Sequence, residues 1–494
     1  MSSAFSGLNT MVRGLSAQQA SLETVGHNIA NANTAGYSRQ NVNLVTTNPQ
    51  TLYGGNGNFQ LGTGVNIASV TRARDSFVDK QMWKESSTLG YGQTMQNSLT
   101  KVEGVFQEPS DTGVQTVLNQ FWTSLQTLST NASDNGTRTT VQQRGVELVN
   151  AIKHANQQLK DMITDINTSI NLKVSSINQI TSEIGGLNHQ IVTVEAGGTD
   201  HANDLRDRRD LLVDQLSTMM NITVTEDKAG NYQIQSSGGT LVDASGSQKL
   251  DTVKSKDSYY GYSVENVVVA GSGQVINFSS GEMKGLIDSR DSSQGGVREY
   301  LDKLDKVSQF LLQDFNDVHK AGYGLNDTVG GTNFFGVDGT KYENWSPQDG
   351  EGGWVTELQV NSTILDPSTG LAKIAAKTLS TQGNASGDNA VKLGIRLKTD
   401  ISSTLGNSSL DNYYSSLITG LGVQSQDAKR ITENQTTLVA QITNWRESTA
   451  GVNMDEELTN MIKFQKGYNS AARVLTTMDE MLDKLINSTG TVGR

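Results

Sequence analysis

Apolar residues recur at alternating steps of three and four at both ends of the chain. In front these are Phe5, Leu8, Val12, Leu15, Leu22 and Ile29; at the back they are Leu458, Met461, Tyr468, Leu475, Met478, Leu482 and Leu485. So narrow a stripe predicts a helix that packs on one other helix, not across a broad core. Either the two end segments pair as a coiled coil, or they are two core helices of a globular bundle. The interior run Leu159, Ile163, Ile166, Ile170, Val174, Ile177, Ile180, Ile184, Leu187, Ile191, Val194 predicts a long helix, with Gly185-Gly186 as a point of interruption. Residues 99–128 repeat the pattern with a break at Pro109 and Gly113, residues 297–318 carry another seam, and 421–445 a weaker one.

Between these helices the period changes. Residues 36–80 alternate in places (Val42, Leu44) and contain the loop YGGNGNFQLGTG; residues 219–280 read as short strands joined by Gly230-Asn231 and Gly238-Gly239 turns. Residues 325–385 are rich in Gly, Asn and Asp, with a strand expected over Val355–Val360. The expected architecture is mainly α with β insertions: an elongated antiparallel helical bundle as shaft, terminal coiled-coil helices, and outward β-rich domains. Residues 1–35 and 455–494 form the terminal helices, disordered before assembly because their thin apolar stripes offer little burial. A helical core with a short β region spans 36–218, 281–324 and 386–454. Residues 219–280 and 325–385 are the two outer insertions.

Composition narrows the function. A formal net charge of -12 argues against a phosphate-backbone partner, so no nucleic acid is expected. The absence of cysteine excludes disulfides, thiolate catalysis and Cys-ligated zinc. No apolar window reaches membrane-spanning length, and MSSAFSGLNTMVRGL lacks a basic stretch followed by an apolar one, so neither membrane insertion nor a cleavable signal is expected. The histidines show no metal-ligand spacing, and the glycine-rich loops lack a phosphate-binding context. No catalytic, metal or cofactor site is therefore assigned. The densest charge cluster, DLRDRRDLLVDQL, is expected as a solvated helix face with ion pairs Asp204–Arg208 and Arg206–Asp210 at i,i+4 spacing.

The stretch NIANANTAGYSRQ has another character. Asn28, Asn31 and Asn33 read as the fraying end of the first helix. Thr34 bonds freed backbone groups, Gly36 adopts a left-handed conformation, and Tyr37 marks the change to extended chain. The segment is expected to be a hinge between terminal coil and body, with a generic helix stop as the plainer alternative.

NIANANTAGYSRQ resembles the N-terminal signature of the bacterial flagellar axial proteins, the rod, hook and hook-associated superfamily. GVNMDEELTNMIKFQKGYNSAARVLTTMDEMLDKLIN resembles the C-terminal helix of that superfamily; GVNMDEE, NDLRDRRDLLVDQLS and HKAGYGLN resemble its hook-associated members. The resemblance covers nearly the whole chain, most weakly over 230–280 and 327–385. It implies a non-enzymatic subunit, made in the cytoplasm, exported by the flagellar type III apparatus and located outside the cell at the hook–filament junction. The implied partners are the hook subunit, a second hook-associated junction protein, further copies in a ring or helical layer, and an export chaperone on the C-terminal helix. A hook or distal rod subunit, or a secreted coiled-coil adhesin, are the alternatives.

Overall fold

The computed structural model describes residues 6–54, 57–108, 110, 113–198, 200–237 and 239–488. Its helices are α1 (Ser6–Ala30), α2 (Ser76–Phe106), α3 (Val114–Thr130), α4 (Asn135–Glu195), α5 (Asn203–Met219), α6 (Gly281–Asp291), α7 (Val297–Phe310) and α8 (Asn316–Ala321). Two single turns, α9 (Trp354–Glu357) and α10 (Ser362–Leu365), precede α11 (Asp388–Lys398), α12 (Leu410–Ala450) and α13 (Met454–Ser488). The strands are β1 (Gln40–Thr46), β2 (Gln50–Gly54), β3 (Gly57–Leu61), β4 (Val65–Arg72), β5 (Thr223–Glu226), β6 (Tyr232–Ser236), β7 (Gly239–Asp243), β8 (Gly246–Ser247), β9 (Leu250–Lys256) and β10 (Ser263–Val269).

The chain folds into two compact units. The first comprises residues 1–87, 177–249 and 436–494; the second comprises 88–176 and 250–435. The division at 249/250 falls inside the stretch expected to be one β insertion. The physical reason lies in what each half packs on: β5–β8 closes over the end of α4 and α5, whereas β9 and β10 bond to Asn167 and Asn171 earlier in α4 and to Arg290 of α6.

In the first unit, β5, β6, β7 and β8 form an antiparallel meander with Val224 opposite Ile234 and Ile234 opposite Val242. This buried apolar row is the β-period signal of the sequence made real. Asp227 accepts the Ala229 and Asn231 N–H groups and fixes the β5–β6 turn. α4 runs unbroken through Gly185-Gly186, and within this unit its apolar residues from Ile177 to Ile191 are buried, while Val194 is exposed.

In the second unit, Phe121 of α3 packs against Phe315, Phe334 and Phe335 with ring centroids 5.7–5.8 Å apart. Phe334 lies 2.7 Å from where a Cβ would stand on Gly145 of α4, so glycine there admits the ring. The strand expected over Val355–Val360 is not formed. α9 begins at Trp354 after Gly353 with φ 80°, and Val360 makes one isolated bridge to Phe335. Positive φ at Gly352 and Gly353 turns the chain out of the extended path, and Trp354, Val355 and Leu358 are buried by a helical turn instead.

His319, in the HKAGYGLN stretch, is buried and held by two backbone groups. Nδ1 lies 2.8 Å from the Thr332 carbonyl, and Nε2 accepts the Ala375 N–H at 3.0 Å, which requires the neutral ring. Burial pushes its pKa down to about 4. The unfolded chain takes up this proton near pH 6.5, so stability from His319 is full above that pH and is lost as pH falls towards about 4. Urea unfolding midpoints of the full chain should fall across this window, and His319→Asn should flatten the slope there.

Candidate functional site: the hinge and the terminal helix pair

α1 and α13 pack antiparallel. Met478 covers Gly7, the Gln18 side chain fills the space beside Gly467, and Asn28 Nδ2 donates to Glu457 Oε2 at 3.2 Å. From one contact to the next, equal steps forward on α1 and backward on α13 keep a single register.

The seam is displaced from the one the sequence suggests. The buried residues of α1 are Ala17, Ser21, Val25 and Asn28. Leu8, Leu15, Leu22 and Ile29 are half-buried, and Val12 is 44% exposed. On α13, Met461, Tyr468, Leu475, Met478 and Leu482 are half-buried, while Leu458 is 47% exposed; its neighbour Glu457 is buried instead. Phe5 lies outside the described residues, as does the Leu485 side chain. Small residues let the two backbones approach closely, which leaves the larger side chains along the flanks.

The hinge closes around Asn28, which is buried and not part of a fraying end. Its Oδ1 accepts the Tyr37 hydroxyl at 2.8 Å and the Gln40 N–H at 2.9 Å; its Nδ2 donates to the Gln40 carbonyl at 3.0 Å and to Glu457. All four hydrogen-bonding positions of the carboxamide are thereby used. Asn31 Nδ2 donates to the His27 carbonyl and Thr34 Oγ1 donates to Asn31 Oδ1, as a helix end requires. Gly36 has φ 80°, and Leu211 Cβ stands 3.0 Å from its missing Cβ, so a side chain there would be doubly penalised. Asn33 lies exposed at the surface. Clefts of about 520 and 710 Å³ adjoin the loop.

Arg39 joins both ends of the chain. Its N–H donates to the Ala450 carbonyl at 2.8 Å, and its guanidinium pairs with Glu456 at 2.8 Å and Glu457 at 2.7 Å. The two terminal signatures, far apart in sequence, are thus one site.

The acidic helix α5 completes it from below. Asp204 Oδ1 accepts Gln40 Nε2; Asp207 accepts the Ser38 N–H and pairs with Arg72 at 2.7 Å. Asp210 pairs with Arg72 at 2.7 Å and Arg74 at 3.5 Å, and accepts the Tyr232 hydroxyl. Asp214 accepts Trp83 Nε1 and Arg446 Nη1, each at 2.7 Å. Arg209 is fully buried against the Tyr232 ring, its Nη1 donating to Asn188 and the Gly230 carbonyl.

This overturns the solvated-face reading. Neither expected i,i+4 pair forms: Arg208 pairs with Glu183, and Arg206 with Glu195 and Glu226. Burial alone would raise Asp210, but Arg74 and Arg72 outweigh it and hold the carboxyl below its usual range. At Asp214 burial wins, and the carboxyl titrates above its usual range although Arg446 opposes it. Arg72, Arg74, Trp83, Tyr232 and Arg446 escaped the sequence reading, because only the fold reveals which distant residues face a carboxylate.

Among the described residues no His, Asp or Glu cluster is disposed to hold a metal ion, and no helix is long and apolar enough to cross a membrane. The arrangement fixes the register of the two terminal helices against each other and against the turn from α1 into β1.

A helix pair made from both chain ends and closed by a short hinge marks a structural protein of the flagellar axial class. Residues 8–37 match the model for flagella basal body rod proteins, 447–488 the basal body rod FlgEFG protein C-terminal model, and 99–335 the helical domain of flagellar hook-associated protein FlgK. The chain is 36% identical to flagellar hook-associated protein 1 of Bacillus subtilis over all of both chains, and 27% identical to that of Escherichia coli over 97% of this chain and 99% of that one. It belongs to the family of flagellar hook-associated protein 1. The fold is also that of the flagellar hook junction protein FlgK from Burkholderia pseudomallei, with a TM-score of 0.61 at 16% identity over 75% of this chain and all of that one.

Arg72 is the cation shared by two buried carboxylates, so Arg72→Met should destabilise the first unit by roughly 3–5 kcal/mol, nearer the lower figure because Arg74 remains close. Denaturant unfolding, followed by Trp83 fluorescence in a background lacking the other tryptophans, measures it.

Proposed function

We propose that this chain is a non-enzymatic subunit that joins the flagellar hook to the filament, outside the cell, and that it polymerises through its terminal helices. Its membership of the hook-associated protein 1 family, along the full length of a relative, carries the reading. Its partners on this reading are the hook subunit, the second junction protein, and further copies in a ring or helical layer. An export chaperone engages the C-terminal helix before type III secretion.

The helix pair supports the assembly role. Glu457 is the sole buried residue among the described side chains of α13, so one copy provides little burial along most of that helix. Leu8, Val12, Leu15, Leu22, Leu458, Met461, Tyr468, Leu475, Met478 and Leu482 are then the surface that neighbouring copies cover. Before assembly the ends are held at the hinge by Asn28 and Arg39 and loosen away from it. The hook, distal rod and adhesin alternatives find no comparable support, since the helical domain matched over 99–335 is that of the hook-associated protein.

Deleting residues 458–494 retains Glu456 and Glu457, the partners of Arg39, and removes most of the flanking apolar surface. The truncated chain should be folded and secreted but should leave hooks without filaments; normal filaments would refute the reading. Electron microscopy of flagella, with an antibody marking the hook–filament boundary, decides the matter.

A further inference from the structure

Among the described residues the exposed aromatic side chains are Tyr53, Phe59, Phe77 and Trp445, at 83%, 57%, 65% and 48%. All four belong to the first compact unit. They fall into two groups. Tyr53 and Phe59 lie on the β2–β3 pair; Phe77 and Trp445 form an edge-to-face pair between the start of α2 and the end of α12, with centroids 6.4 Å apart.

The β2–β3 pair is unusual in what it lacks. Leu52 stands opposite Phe59 and Gln50 opposite Leu61 on one face, while Tyr53 stands opposite Asn58 on the other. Both faces expose an aromatic ring, so the chain's own body covers neither. Two strands alone are marginal in water, and natural sheet edges are blunted with charge. Here no Asp, Glu, Lys, Arg or His occurs from Gln40 to Thr71, in a chain of net charge -12. The root of this hairpin lies against the terminal helix pair: Gly64, at φ 104°, touches Thr10 of α1, and β1 and β4 pack on that helix.

The Phe77–Trp445 pair has the opposite character. Its flanking residues are anchored, Arg74 on Asp79 and Arg446 on Asp214, so two exposed rings sit on a braced support. Aromatic anchors on a preorganised surface are the hallmark of interface hot spots.

We propose that β2 and β3 of one copy pack on the Phe77–Trp445 pair of the next copy. The inference rests on the assembly role given above and names the surfaces it uses outside the helix pair. A ring or helical layer needs two different complementary surfaces on each subunit. Copies of net charge -12 repel one another, and a charge-free hairpin is the part that can approach a like copy without that penalty.

The chain has no cysteine, so introduced thiols are its only ones. Flagella carrying the full-length F59C/W445C variant, oxidised after isolation, should yield a ladder of disulfide-linked dimers and higher multimers. Either single variant should give no ladder. Antibody labelling first locates the chain. If it is absent from the hook–filament boundary, the assembly role itself fails and this proposal with it. If it is present there but the double variant stays monomeric, the hairpin contact is wrong and the role stands. A photoreactive group on F59C that captures a different protein, not a second copy, overturns the choice of partner. Phe59→Asp, on an exposed strand, should leave folding and secretion intact yet lower retention at the junction about tenfold or more, the size of one lost aromatic anchor. Retention at the unmodified level would also overturn the proposal.

Discussion

A carboxamide buried at the foot of a helix must find partners for two N–H groups and two lone pairs, because leaving any of them empty costs about 1–3 kcal/mol. Asn28 finds them in Tyr37, in both backbone groups of Gln40, and in Glu457. That single constraint folds the chain back from α1 into β1, brings the start of α13 to the same point, and sets the register of the helix pair. Arg39 then neutralises Glu457 and ties the strand to the last turn of α12. The mobile-looking composition of the hinge is therefore misleading; its small residues are there to let large polar ones reach one another.

Beneath the hinge the problem is charge. Four aspartates of α5 point at the hinge, the β1–β4 pair and the neighbouring helices, and Asp207 and Asp210 are almost wholly removed from water. Isolated buried carboxylates would be intolerable, so Arg72, Arg74 and Arg446 from two other segments, with Trp83 and Tyr232, satisfy them. Such a network contributes little net stability compared with an apolar core, but its geometry is exacting.

The two compact units divide these tasks. The first unit holds the acidic helix α5, the hinge and the exposed aromatic rings. The second is built on the phenylalanine cluster around Phe121 and the buried, uncharged His319. In the second unit, helices and glycine-rich turns are both explained by what they bury; in the first, the helix pair leaves much of its apolar surface to be covered by something else.

Much of the helical framework was legible because helix periodicity is local: the run from Leu159 to Ile191 carries its own buried face, and the stop after Ala30 and the left-handed Gly36 follow from the residues beside them. The terminal signatures likewise identified the class of protein. Legibility ended where partners are distant. Asp210 read as solvent-facing because Arg206, four residues away on the helix, offered a ready partner, whereas the fold supplied Arg72 from the far end of β4 to Asp210 and to Asp207. The seam of α1 read as Leu8, Val12 and Leu15 because those are its large apolar residues, whereas close antiparallel approach selects Ala17 and Ser21. Local spacing by itself determined which of the long segments are helical. Which face of each helix is buried, and which charges meet, was decided by the tertiary structure, because those depend on what lies across the gap and not on what lies next in the chain.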